Sequence, residues 1–280
     1  MRKRVPIKYI ASSGNTYDLV SSGIVHKDAN YHNWKWKPEG TNLQHGMRVA
    51  DFSKDPANYV TTLYIYGNPA HRRNVIDTLH DEFETDIWKK TPGKIIWGDY
   101  YLTCFINESN TVPTEYWYVT ENKINIFAPY PFWMREVKIS LPPSAVASGE
   151  FLDYPYNYPY DYTAPTVGTK KVKSTFPFES EFEMVIFGPV VNPRVTINGH
   201  PYVLYTTVPQ GAYVVIRSRE GTVMMYENNG RQTNVFDFRN KSASIFQKIP
   251  GGNLDITWDA SFGVDLTIYH QRSEPRIEVT

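Results

Sequence analysis

Short runs in which apolar and polar residues alternate fill most of the chain, with turn residues between them. A period of two marks a pleated strand with one face buried. In the first half it predicts strands over 17–20, 31–37, 59–66, 94–97, 100–107, 115–120, 123–128 and 136–140. The second of these carries Trp34 and Trp36 on one face. One segment follows another rhythm. Asn68 and Pro69 supply an N-cap and a first helical residue, and Val75, Leu79, Phe83 and Ile87 recur every four positions before Thr91, Pro92 and Gly93 stop the run. The spacing predicts one amphipathic helix over 69–88.

From residue 178 onward strands are predicted at 181–187, 194–197, 202–208, 213–217, 222–226, 254–258 and 264–269. Gly188-Pro189, Asn198-Gly199, Gly211, Gly221, Gly230 and Gly251-Gly252 punctuate them, and Asn-Gly is a strong two-residue hairpin signal. Short strands at this spacing with no helix between them predict an antiparallel β-sandwich. The fold class is therefore mainly β, with a β-rich N-terminal domain over 1–141 that holds the single helix, and a C-terminal sandwich over 178–280.

The interval 142–177 between them holds six prolines and the tract DYPYNYPYDY at 153–162, with tyrosine at every second position. Pro155 and Pro159 have no N–H for a sheet ladder and push the residue before each into an extended conformation. The tract is read as a stiff extended connector rather than a strand presenting rings to a ligand.

Charge and composition narrow the function classes. Twenty-nine basic and 29 acidic residues cancel, so no net field draws the chain to nucleic acid or an anionic membrane. Aromatic residues make up 15%, which suits sheets and contact surfaces. A single cysteine excludes an internal disulfide framework and fits a reducing cytoplasm. The basic start lacks an apolar run, and the uncharged stretch 184–191 is too short to cross a bilayer, so a soluble, non-secreted chain is expected.

Little in the sequence points to catalysis. Cys104 shares a strand face with Leu102 and Ile106 and reads as a small core residue. His71 and His80 lie half a turn out of helical register, so no metal site is expected from them, and no cofactor motif occurs. Asp81 and Glu82 are adjacent and point apart, unlike an acid–base pair. The helix does carry one oddity. His71, Arg72 and Arg73 crowd its start while Asp81, Glu82, Glu84 and Asp86 crowd its end, the reverse of what the macrodipole favours. Two readings stand: head-to-tail contact between copies, with Arg72 and Arg73 meeting those acids, or local bridges to nearby loops.

Three C-terminal stretches, 191–199 (VNPRVTING), 244–258 (SIFQKIPGGNLDITW) and 264–272 (VDLTIYHQR), resemble the distal tail proteins of long non-contractile-tailed phages. The helix at 72–83 followed by 93–105 (GKIIWGDYYLTCF) is similar to the first domain of the same family. The resemblance implies a homo-oligomeric, hexameric ring at the end of the tail. Such a hub joins the tail tube to the tip or baseplate and lets the tape-measure protein and DNA pass. It implies a virion-tail protein of a phage or prophage, assembled in the host cytoplasm, with a galectin-like sandwich outside the ring and no enzymatic activity. Asn192-Pro193-Arg194 echoes part of the galectin sugar motif, but Val190 stands where its histidine belongs and Trp258 is followed by Asp-Ala-Ser-Phe. The sandwich is thus expected to be lectin-shaped without that sugar site. A carbohydrate-binding module for host surface glycans and a sandwich hydrolase are the alternatives.

Overall fold

Two hydrophobic cores grow from two groups of antiparallel strands, many of which turn every second residue inward. The computed structural model describes residues 6–21, 23–27, 30–113, 118–143 and 167–276. One unit takes in Met1–Arg135 and Gln271–Thr280, the other Glu136–His270.

The first unit begins with β1 (Ile7–Ile10), β2 (Thr16–Asp18), β3 (Ile24–Lys27), β4 (Lys37–Asn42), β5 (Met47–Ser53) and β6 (Ala57–Tyr66). Helix α1 (Pro69–Trp88) follows, then β7 (Gly93–Trp97), β8 (Tyr100–Pro113) and β9 (Val119–Ala128); β10 (Trp133–Leu141) starts in this unit, and its later residues Ile139 and Leu141 belong to the second core. The pairing runs β2-β1-β7-β8-β9-β6-β3, all antiparallel. The early part of β8 pairs with β7 and its later part with β9, with a register shift between Ile106 and Glu108. One long strand therefore belongs to two ladders. The inward residues Tyr9, Leu63, Ile65, Ile95, Leu102, Cys104, Ile124 and Ile126 form the core, capped by Ile76, Leu79 and Phe83 of the helix.

Three sequence readings change here. The helix buries Ile76, Leu79, Phe83 and Asp86, whereas Ile87 is exposed and Val75 only partly covered. A strict period of four drifts about 40° per step around a helix of 3.6 residues per turn, so the apolar series leaves the buried face at its ends. Residues 31–36 form no strand: Tyr31 is a fully buried core ring and Trp34 faces solvent. The two strands expected over 115–128 are a single β9 from Val119, and residues 114–117 lie outside the described set.

In the second unit β11 (Val167–Val172), β12 (Glu181–Phe187), β13 (Val190–Val191), β14 (Arg194–Ile197) and β15 (His200–Val203) come first. After them come β16 (Thr207–Val208), β17 (Tyr213–Arg217), β18 (Thr222–Tyr226), β19 (Gln232–Asn234), β20 (Leu254–Asp259) and β21 (Val264–Arg272). One sheet runs β21-β12-β17-β18-β19 and the other β11-β20-β14-β15. Phe182, Met184 and Ile186 from the first meet Val195, Ile197 and Ile256 from the second in one core, the antiparallel sandwich expected. Asn198 and Gly199, both at positive φ, make the β14–β15 turn. Strand β11 falls within the interval read as connector and pairs with β20 along six residues. A Cβ on its Gly168 would come within 2.6 Å of the Trp258 indole, so only glycine lets the two strands close over that ring. The tyrosine tract 153–162 lies outside the described residues.

Candidate functional site

Helix α1 begins as its sequence directs. The Asn68 side chain accepts from the His71 amide at 2.8 Å, and Pro69 occupies the first turn, where no N–H is required. Among the described residues no acid lies in the first turn and no base in the last, so the reversed charge order is real. The two ends differ in what binds them.

Asp86 is fully buried. It accepts from the Tyr9 hydroxyl through one oxygen and from the Ser12 amide at 2.9 Å through the other. Gly93 makes room for this pair, since a Cβ there would lie 2.6 Å from the Tyr9 oxygen and 2.8 Å from Asp86. Glu82 accepts from Ser13 at 2.8 Å, Asn15 at 2.6 Å and Tyr17 at 3.0 Å, all on the β1–β2 hairpin. The Asn15 hydrogen bond, with Ser13 and Tyr17 behind it, holds the Glu82 carboxyl below its ordinary range. Two of the four acids thus bind the helix to its own chain, which is the local-bridge reading for those positions.

Asp81 and Glu84 stay exposed. With Asp77 and Trp88 they fall at i, i+4, i+7 and i+11, a single stripe on the solvent side. Trp88 is 84% exposed, the largest bare ring of the helix. At the other end Arg73 is exposed, and among the described residues the buried Nε and Nη1 of Arg72 find no hydrogen-bond partner. Sequence reasoning missed Trp88 because it lies one position beyond Ile87, outside the apolar series.

A second feature had no sequence signal. Strands β4 and β5 form a two-stranded ribbon exposed along almost its whole length and, among the described residues, paired only with each other. It nevertheless carries Leu43, Met47, Val49 and Phe52 to solvent. Isolated two-stranded ribbons are marginal in water, and bare apolar side chains on one point to a partner surface.

The remaining candidates resolve as structure. Cys104 is fully buried, and burial pushes its thiol up to about 12, out of reach of nucleophilic chemistry at neutral pH. His80 lies 2.7 Å from the Ser109 hydroxyl and 3.0 Å from the Asn122 amide, bracing the helix against β8 and β9. Among the described residues no group of His, Cys, Asp or Glu is placed to hold a metal, and no helix is long and apolar enough to cross a membrane. Trp258 is buried beneath β11, so it offers no face to a sugar.

No family model matches the sequence, and no curated protein does. Solved structures do. The Dit protein of phage SPP1, described as a paradigm of the hub adsorption apparatus in phages infecting Gram-positive hosts, aligns at TM-score 0.62 with 10% identity, over 96% of this chain and all of that one. A chain of the phage P2 baseplate in its activated conformation with Ca aligns at TM-score 0.63 with 12% identity, over 98% of this chain and all of that one. The same baseplate with Sr gives TM-score 0.61 at 12% identity. The chain has the Dit fold. The alignments cover nearly the whole chain, so the likeness of fold extends across the sandwich as well as the helix-bearing unit.

Proposed function

We propose that the chain is a structural component of a phage tail, a hub that assembles with copies of itself, six in number, into a ring between the distal end of the tail tube and the tip or baseplate. The observation that carries this reading is the β4–β5 ribbon. A two-stranded arm that bares Met47, Val49 and Phe52 on one face gains stability once another surface covers it, and a neighbouring copy is the surface always present at equal concentration. The Dit fold over nearly the whole chain supports the same reading.

The helix supplies a second contact of the head-to-tail kind. Arg72 and Arg73 of one copy face Asp81 and Glu84 of the next, with Trp88 beside them; Glu82 and Asp86, already bound within the chain, take no part. A repeated heterologous contact closes into a ring when its rotation divides the circle. Tail tube, tape-measure and tip proteins are the further partners in this reading. The particle is a virion tail put together in the bacterial cytoplasm, with no cofactor, no membrane and no sequence-specific nucleic acid.

Negative-stain images with solution mass test it. Annular particles near six copies are expected, formed alone or on addition of tail-tube protein. Monomers in both conditions would overturn the reading. Rings of unchanged size after Arg72→Glu with Arg73→Glu would remove the helix contact alone.

A further inference from the structure

At the base of the β4–β5 ribbon lies a groove of about 730 Å³ on the first unit, apart from the helix and its charges. Its chemistry is unusual for a surface that is only structural. Trp34 lines it and is 51% exposed, with a ring face open to solvent. Three lysines, 35, 37 and 54, line the same groove against one acid, Asp55. The side-chain amides of Asn30, Asn33 and Asn58 complete it, each offering a donor and an acceptor. Asn58 accepts from Asn125 at 3.3 Å through its oxygen, and among the described residues its own amide hydrogens have no partner.

Lys54 is the most constrained of these. Its ammonium donates to the Pro131 carbonyl at 3.0 Å and sits 4.5 Å from the Phe132 ring centre and 5.3 Å from that of Trp36. Among the described residues its partners are thus a carbonyl and two rings, with no carboxylate. A carbonyl and ring quadrupoles orient a cation without neutralising it. Burial also lowers the Lys54 ammonium to about 8, the mark of a charge held partly out of water without a counter-ion.

We infer that this groove binds an anionic saccharide, a chain of sugar units bearing carboxylate or phosphate groups. Sugar rings present apolar C–H faces that suit an exposed indole. Their vicinal hydroxyls need partners that both donate and accept, which asparagine amides provide and lysines do not. The anionic groups then fall to Lys54 and to the exposed Lys35 and Lys37, none of which has a carboxylate partner among the described residues. An acidic peptide would use the lysines but leave three amides and Trp34 without specific work. The inference does not depend on ring formation.

An array of immobilised oligosaccharides tests it with the full chain as purified, using uronate-bearing, phosphate-bearing and neutral sugars, and polyglutamate as the peptide control. Retention on one or more anionic sugars is expected, weakened by salt and at least tenfold by Trp34→Ala. Lys35→Glu with Lys37→Glu should reduce it at least as much. Both variants alter exposed side chains, and an unchanged thermal unfolding curve verifies that they fold. Equal retention of neutral sugars, retention of polyglutamate alone, no retention at all, or variants that bind like the parent would each overturn the assignment.

Discussion

The phenol of Tyr9, on the first strand, donates its hydrogen bond to the carboxylate of Asp86 near the end of the helix, 77 residues later in the chain. The Ser12 amide takes the other carboxylate oxygen at 2.9 Å, and the edge of the Tyr9 ring meets Phe83 at 5.1 Å between centres. Burial first, then Asp86 itself, pushes the Tyr9 hydroxyl far above the usual range, so it remains a donor at any physiological pH. A buried carboxylate is tolerable only while such donors are in place.

Tyr9→Phe therefore strips Asp86 of one of its two donors and should cost about 2–4 kcal/mol, because the charge stays buried with too few partners. Urea unfolding measures this directly. Tyr9→Phe combined with Asp86→Leu should cost clearly less than the sum of the single changes, since the stranded charge is gone. Additive costs would show that the two groups do not stabilise each other.

His26 makes the stability depend on pH. Its Nε2 lies 3.0 Å from the hydroxyls of Tyr31 and Thr61, and Thr61 spends its own hydrogen on the Lys27 carbonyl at 2.9 Å. Burial lowers the imidazole to about 4 against an ordinary value of 6.5. Between those values the unfolded chain binds a proton that the folded chain refuses, so stability falls as pH drops from about 6.5 towards 4. The full loss amounts to about 3 kcal/mol. Unfolding midpoints at pH 7.5, about 5.5 and about 4 should fall in that order, and His26→Gln should flatten the trend. An equal pH slope in the variant would assign the effect to other groups.

Joining Lys37 to Ser53, which face each other across the ribbon, with a short glycine turn deletes the exposed arm at little cost to the unit that carries it. Thermal unfolding should stay within about 1 kcal/mol of the parent, because almost nothing in the arm is buried. Assembly, read by light scattering, should be lost. A ring that still forms would show that the arm is not its fastening.

Trp88→Ser offers the matching surface test on the helix. At 84% exposure the ring contributes little to folding, so stability should change by less than about 0.5 kcal/mol while self-association weakens. Trp258→Ala should behave in the opposite way, costing about 3–5 kcal/mol from a buried site.

Cys104 should resist thiol reagents in the folded protein. With its thiol pushed up to about 12 by burial, almost no thiolate exists at pH 8, and no path leads to it. Labelling at the rate of global unfolding is the expected result, checked by following the reaction across a urea series. Fast labelling without denaturant would mean that the β8 core opens locally.

Much of the architecture was legible along the chain because burial leaves a local imprint. Strands β12, β20 and β21 each bury one face of a packed layer, and their alternation of apolar and polar residues was enough to place them. The Asn198-Gly199 turn and the Asn68-Pro69 helix start were legible for the same reason, being set by the conformations that those few residues allow. Folding in three dimensions decided the rest. No local pattern couples Asp86 to Tyr9 or Glu82 to the β1–β2 hairpin, so only the assembled sheet separates acids bound inside the chain from Asp81 and Glu84, left free outside. The β4–β5 ribbon escaped notice because neither of its faces packs within the chain, and a strand that buries nothing has no alternation to read. Trp34 looked like a strand residue beside Trp36, yet its loop leaves one ring in solvent and turns the other against Lys54. Periodicity reports what a segment hides from water; which distant partner hides it, and which surface remains open, depends on contacts that close only when the whole chain has folded.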